Sequence, residues 1–476
     1  MQARRLMAVM LLLPLWWQAT AVAAGEEAPP TVDAQLAARD AEIERLRKIV
    51  LESQEVMAQA MKRIDALEVT KTAQDKAGIN NLTLNGDFRY RFEYIQQDPR
   101  SNTLIGVRGP LFKADEDDSR DRHRLRLRAG FEWAINEEVS VGARVATTMG
   151  ADNVSTNQTL DDAFAKKDLW LDAAYFDYHP FKVPGLKILG GKMNNPFYTP
   201  GKTQMIWDQD LTPEGLALTY TNAQMLDPST PNVRKLTLRP RTWELGGSLG
   251  YFLVDERALD IDGYMLGAQG TVKYNFTEDG TKNIMAGLSY YDFGHVEGFP
   301  PLFSATDNFG NALSRAILNG NALYANDFNI VEGFAEFTVP VWNRPLNVYG
   351  DIAYNTAPID KSFDDSTGNL AWAVGFSYGR CVAPKSWAIR YEYRDVQRDA
   401  VVGAFTDSDF GGGGTNSRGH IFGAEYMLFR NTRLALTYFY NDNVGSDALR
   451  LVPVFGPREN VDGHYDRLQL DVNFKF

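Results

Sequence analysis

Residues Asp466 to Phe476 read Asp-Arg-Leu-Gln-Leu-Asp-Val-Asn-Phe-Lys-Phe, and no other stretch restricts the fold as much. Leu468, Leu470, Val472, Phe474 and Phe476 share one parity, while Arg467, Gln469, Asp471, Asn473 and Lys475 share the other. A period of two puts these sets on opposite faces of a strand, one apolar and one polar. The edge strand of a soluble sandwich has the same period. An aromatic that ends such a dyad repeat points instead to the closing strand of an outer-membrane barrel.

The rest of the chain repeats the pattern. Leu82, Leu84, Phe88, Tyr90, Phe92 and Tyr94 alternate with Asn85, Asp87, Arg89, Arg91 and Glu93. Leu125, Leu127, Ala129, Phe131 and Trp133 alternate with Arg122, Arg124, Arg126, Arg128 and Glu132. An arginine facing lipid at the bilayer midplane costs about 2 to 4 kcal/mol, so successive arginines of one parity must face water in a lumen. Further runs cover 139–147, 167–178, 186–192, 215–221, 243–253, 264–276, 284–290, 331–339, 346–354, 372–378, 387–393, 422–428 and 434–440. Together they predict an all-β fold, a transmembrane antiparallel barrel of about sixteen strands over 79–476. Long polar connections (95–120, 150–166, 295–327, 398–417, 443–463) interleave with short ones (136–138, 342–345, 382–385, 430–431), as extracellular loops and periplasmic turns do. The segment Asn222 to Arg241 is too long for a turn and is read as strands continuing beyond the membrane. Trp133, Trp243, Tyr274, Tyr354, Trp387, Tyr440 and Phe474 stand near strand ends, where an interfacial girdle would place them.

Ahead of the barrel the pattern differs. Residues 1–24 hold Arg4 and Arg5, an apolar run and Ala21-Val22-Ala23-Ala24, the layout of a secretory signal peptide. Leu36, Ile43, Val50, Met57 and Ile64 recur every seven residues, with Leu46, Ala60 and Leu67 at the second seam position, which predicts an α-helical coiled coil over 31–70. Arg39 and Ser53 interrupt that seam, and a lone amphipathic helix is the alternative. Residues 71–78 read as a polar linker. No later apolar run is long enough for a helical membrane span. The net charge of -12 argues against a nucleic-acid partner.

Catalytic and metal chemistry find little footing. His123, His179, His295, His420 and His464 are scattered without metal-ligand spacing or a Ser/His/acid grouping, so no catalytic residue, metal or cofactor is expected. Asp115-Glu116-Asp117-Asp118 reads as a solvated charge run, and Gly411 to Gly414 as a flexible loop tip. The single Cys381 excludes an intramolecular disulfide.

The stretches Gly-Gly-Lys-Met-Asn-Asn-Pro-Phe (190–197) and Trp-Asp-Gln-Asp-Leu-Thr-Pro-Glu-Gly (207–215) flank the fifth-to-sixth strand connection. With the leader, the heptads and the terminal Phe476, they make the chain resemble the putative-porin family of Gram-negative outer membranes. That resemblance implies an outer-membrane channel, a homotrimer, and a third long loop folded into the lumen. By position the loop is Asn194 to Glu214, with Asp208, Asp210 and Glu214 as its acids. Lipid and the barrel-assembly machinery, engaged through Phe474 and Phe476, are the other expected partners, and the coiled coil is expected in the periplasm. Parity assigns Arg89, Arg91, Arg124, Arg126, Arg128, Arg144, Arg467 and Lys475 to one basic wall of the lumen. Inward acids Glu244, Glu332, Glu336, Asp351 and Glu425 lie elsewhere on the ring, which predicts a transverse field and mild anion preference. Alternatively the arginines pair with neighbours such as Asp87, Glu93 and Glu132 and stiffen the wall. A tether or adhesin working through its coiled coil, and a barrel enzyme, are the other functions considered.

Overall fold

The computed structural model describes residues 81–97, 118–150, 152–226, 236–238, 240–303, 307–318, 321–359, 368–444 and 463–476, with some positions between 40 and 62. The chain divides into two units, 1–80 and 81–476. In the first, the described positions 40, 41, 43–49, 51, 52, 55, 59 and 62 are helical. Of the expected seam, Ile43 and Leu46 are described, and both are about half exposed. The other seam positions, the leader 1–24, the linker 71–78 and the acids 115–117 lie outside the described residues.

In the second unit sixteen strands close into a ring. They are β1 (Leu82–Gln97), β2 (Asp118–Ala134), β3 (Val139–Thr147), β4 (Leu169–Tyr178), β5 (Leu186–Lys192), β6 (Glu214–Thr221), β7 (Trp243–Asp255) and β8 (Gly263–Asn275). The ring continues with β9 (Asn283–Gly294), β10 (Phe328–Val341), β11 (Arg344–Asn355), β12 (Leu370–Gly379), β13 (Trp387–Val396), β14 (Ser417–Phe429), β15 (Thr432–Asn443) and β16 (Gly463–Lys475). Each pairs antiparallel with its successor. β16 then pairs with β1, from Asp87↔Lys475 to Gln97↔Tyr465, so no strand edge is left open. The expected period and strand number are both realised.

Local chemistry explains the rims. On one side the turns are short, as at Trp342-Asn343, where both residues take the positive φ that a two-residue hairpin needs. On the other, the connections 98–117, 148–168, 193–213, 295–327, 397–416 and 444–462 are long. The long short-side segment is a ribbon, with Gln224–Leu226 paired to Leu236–Leu238 beyond the ends of β6 and β7.

Burial is inverted relative to a soluble protein. Outward apolar residues are open, Leu84 at 72% and Leu288 at 70%, which suits a lipid-facing surface. The apolar core lies inside the ring instead. Met193, Phe197, Met205, Ile206, Trp207 and Leu211 of the segment between β5 and β6 pack on inward residues of β7 to β12, including Phe252, Met265, Tyr291 and Phe328.

Candidate constriction of the lumen

The segment 193–213 enters the barrel because its apolar side chains find a prepared surface there. Phe197 lies against Gly267, an inward position of β8 where any side chain would collide with its ring. Trp207 is 4% exposed, with its ring centroid 5.0 Å from that of Tyr291 and 6.2 Å from that of Phe405. Polar wall residues hold the backbone and rim of the segment. Gln269 accepts from the Tyr198 N–H at 2.7 Å and donates back to its carbonyl at 2.9 Å. Tyr198 donates to Glu336 at 2.6 Å, and Thr203 to Glu392 at 3.1 Å. Glu336 and Glu392 therefore serve the loop, while Glu332 accepts from Ser289 and Tyr291 of the wall; Glu332, Glu336 and Asp351 are all buried.

A second segment, 397–416, joins the first. The Asp208 N–H donates to the Phe405 carbonyl at 2.7 Å, the Asp407 N–H to Gln204 at 3.1 Å, and the Ser408 N–H to the Asp208 carboxylate at 3.1 Å. Gly411 to Gly414 were expected at a flexible tip. All four have positive φ, and Gly411 and Gly414 are buried, so they shape a packed turn rather than a free one.

Both segments meet the basic wall. Arg126 and Arg128 reach Asp87 at 2.8 and 2.7 Å, and Asp210 at 3.5 and 3.0 Å. Thr156, from the connection between β3 and β4, donates to Asp210 at 2.7 Å. Higher on the wall, Arg91 chelates Asp471 through bonds of 2.6 and 2.8 Å and approaches Asp409 at 3.2 Å. Arg467 reaches Glu93 at 2.8 Å and Asp409 at 2.7 Å, Arg124 lies 3.7 Å from Glu93, and Arg122 also pairs with Glu93. Arg144 pairs with Asp172. Arg89 donates to Asn157, and Lys475 is exposed at the lower end of β16. The eight basic residues named from parity thus share the wall of β16, β1, β2 and β3.

The acids separate differently. Asp210 meets the arginines directly rather than across an open path. Asp208 turns away from them, accepting from the Asp210 and Ser408 N–H groups. Burial, and next the carboxylates of Asp210 and Asp407, push the Asp208 carboxyl well above the usual range. Burial acts the same way on Asp210, but Arg126 and Arg128 outweigh it and hold that carboxyl below the usual range. Glu214 does not belong to this site. It opens β6 on the parity of the exposed Leu216, Leu218 and Tyr220, opposite Lys192, and the two form an ion pair of 2.8 Å on the outer surface. Sequence reasoning missed Asp409, Asp407 and Asn157, which come from connections that carry no period.

Among the described residues, cavities lie on both sides of this constriction. One, of about 540 Å³, lies toward the long loops beside Arg122, Arg124, Ser155, Asp409 and Arg467. The other, of about 570 Å³, lies toward the short turns beside Lys187, Glu244, Lys273 and Thr338. At the terminus, Phe476 exchanges backbone bonds of 3.0 and 3.1 Å with Gly86, and its ring covers that glycine. Phe474 packs on Phe88 at 6.1 Å.

The family described as Putative porin matches residues 44–316 and 331–476. Solved structures with a similar fold include a Rhodopseudomonas blastica porin mutant, 13% identical, covering 83% of this chain and all of that one, with a TM-score of 0.39. The outer-membrane channel DcaP of Acinetobacter baumannii is 13% identical over 83% of this chain and 97% of its own, with a TM-score of 0.42. Pseudomonas putida OprB is 11% identical over 86% and 96%, with a TM-score of 0.46. No curated protein matches in sequence. At these scores the architecture rests on the strand ladders of the chain itself, and membership on the match that spans most of its length. The chain belongs to the Putative porin family.

Proposed function

We propose that this protein is a passive channel for small hydrophilic solutes in the outer membrane, with mild anion preference. The observation that carries the reading is the division of the closed ring, apolar outside and densely charged inside. A ring of sixteen strands is wide enough for an aqueous lumen. In this reading the long loops face the exterior, the short turns face the periplasm, and residues 193–213 and 397–416 narrow the passage. The sign of selectivity follows from what stays near water. Glu332, Glu336 and Asp351 are buried, whereas Arg120 and Lys475 on the basic wall are exposed. Proteoliposomes carrying the purified protein should swell in iso-osmotic solutions of small sugars, and absence of swelling by correctly inserted protein would contradict the proposal.

The assembly we propose is a homotrimer with a periplasmic three-stranded stalk over 31–70, exported by the 1–24 leader and delivered to the membrane by the barrel-assembly machinery through β16. Ile43 and Leu46, uncovered in the single chain, support a seam completed by other copies. Cross-linking of the intact protein should trap trimers, and a ladder that stops at monomer would refute the stalk.

A further inference from the structure

Ion pairing sorts the inward cations of β16, β1 and β2 into unlike groups. Arg126 and Arg128 share two carboxylates, Asp87 and Asp210. Arg91, Arg122, Arg124 and Arg467 share three, Glu93, Asp409 and Asp471. Arg89 stands between the groups, opposite Arg126 on β2 and Asn473 on β16. Its side-chain hydrogen bond goes to the neutral amide of Asn157, its Nε is buried without a partner, and no carboxylate among the described residues lies within 4.0 Å. Arg120, opposite Ile95, and Lys475, opposite Asp87, have no carboxylate partner among the described residues, and both are exposed. These three cations descend one wall. About 20 Å of strand separates the level of Arg120 from that of Arg89, and about 7 Å the level of Arg89 from that of Lys475.

A paired guanidinium presents a dipole whose field dies away quickly, whereas an uncompensated one presents a unit charge and vacant N–H donors suited to a carboxylate, a phosphate or chloride. We propose that small anions follow this wall from Arg120 past Arg89 to Lys475, and that Arg89 is the residue that determines the channel's anion preference. This rests on the aqueous-channel reading above. Arg124, Arg126 and Arg128 contribute less, because their charge is spent on acids in contact with them.

The test is the zero-current potential of the full-length protein in a planar bilayer under a potassium chloride gradient. R89Q removes the charge. N157D keeps the guanidinium and places a carboxylate on the atom to which it already donates. Each should lower the chloride-to-potassium permeability ratio severalfold, because one unit charge roughly 7 Å from the ion in water changes the partition of each ion about two- to threefold, in opposite directions for anion and cation. R390Q, at an inward exposed position of β13 with no carboxylate among the described residues within 4.0 Å, removes an equal charge from a different wall and should change the ratio less. The inference falls if R89Q and N157D conduct with an unaltered ratio, or if R390Q lowers it as much as they do. Wild-type protein that inserts and passes no current would instead overturn the channel reading, and this inference with it.

Discussion

Trp207 fills a pocket formed by Phe197, Tyr291, Phe293 and Phe405, so the docking of residues 193–213 depends on it more than on any one polar contact. Truncating a buried tryptophan to alanine costs about 3 to 5 kcal/mol, and here the loss falls on the loop because no barrel ladder uses that side chain. W207A should leave the barrel folded while raising single-channel conductance; an unchanged conductance would show that the loop is held elsewhere. The two aspartates beside it respond oppositely to pH. A raised carboxyl such as Asp208 contributes stability that is fully present below the ordinary Asp value, near 3.9, and lost as pH rises through its raised value. Asp210, held low, contributes above the ordinary value and is lost only in stronger acid. Loop docking should therefore be firmer at pH 5 than at pH 8, seen as fewer conductance substates, and D208N should remove most of that difference. Persistence of the difference in D208N would assign it to another group. The arginines were legible in the sequence because a period of two fixes a side. Their partners were not, since Asp409 reaches Arg91 and Arg467 from a connection with no period, and Glu214 looked like loop until its pairing with Lys192 fixed its face.

Strands and connections differ in how much of them a sequence reveals. Most of the sixteen strands were visible as clean alternation, since lipid outside and water inside penalise any slip of register, and the parity was less clean only over 167–178, 186–192 and 215–221. The entry of 193–213 into the lumen came from resemblance, and that of 397–416 was not anticipated, because its glycines suit a tight packed turn as well as a loose one. Gly414 lies so close to the Phe309 carbonyl that no side chain would fit, a contact made across more than a hundred residues of sequence. The last strand adds a prediction of its own. Phe476 supplies two backbone bonds to Gly86 and covers it with its ring at the seam that closes the barrel. Deleting Phe476 should lower the protease-resistant folded fraction in the outer membrane, and G86V, which puts methyl groups where the ring lies, should do the same. An unaltered folding yield in both would separate closure from the terminal residue.

Across the whole molecule, the ring and its contents have separate sources of stability. The wall is held by strand ladders and by lipid on its outer face, the interior by an aromatic core and by charges in contact. This division lets the passage be narrowed, charged or altered without reopening the barrel. The most direct test of the account is the current through purified wild-type protein in a planar bilayer. Discrete, ohmic conductance steps with a zero-current potential on the anion side are the predicted result. A folded, inserted barrel that shows no steps, or steps that are cation-selective, would contradict it.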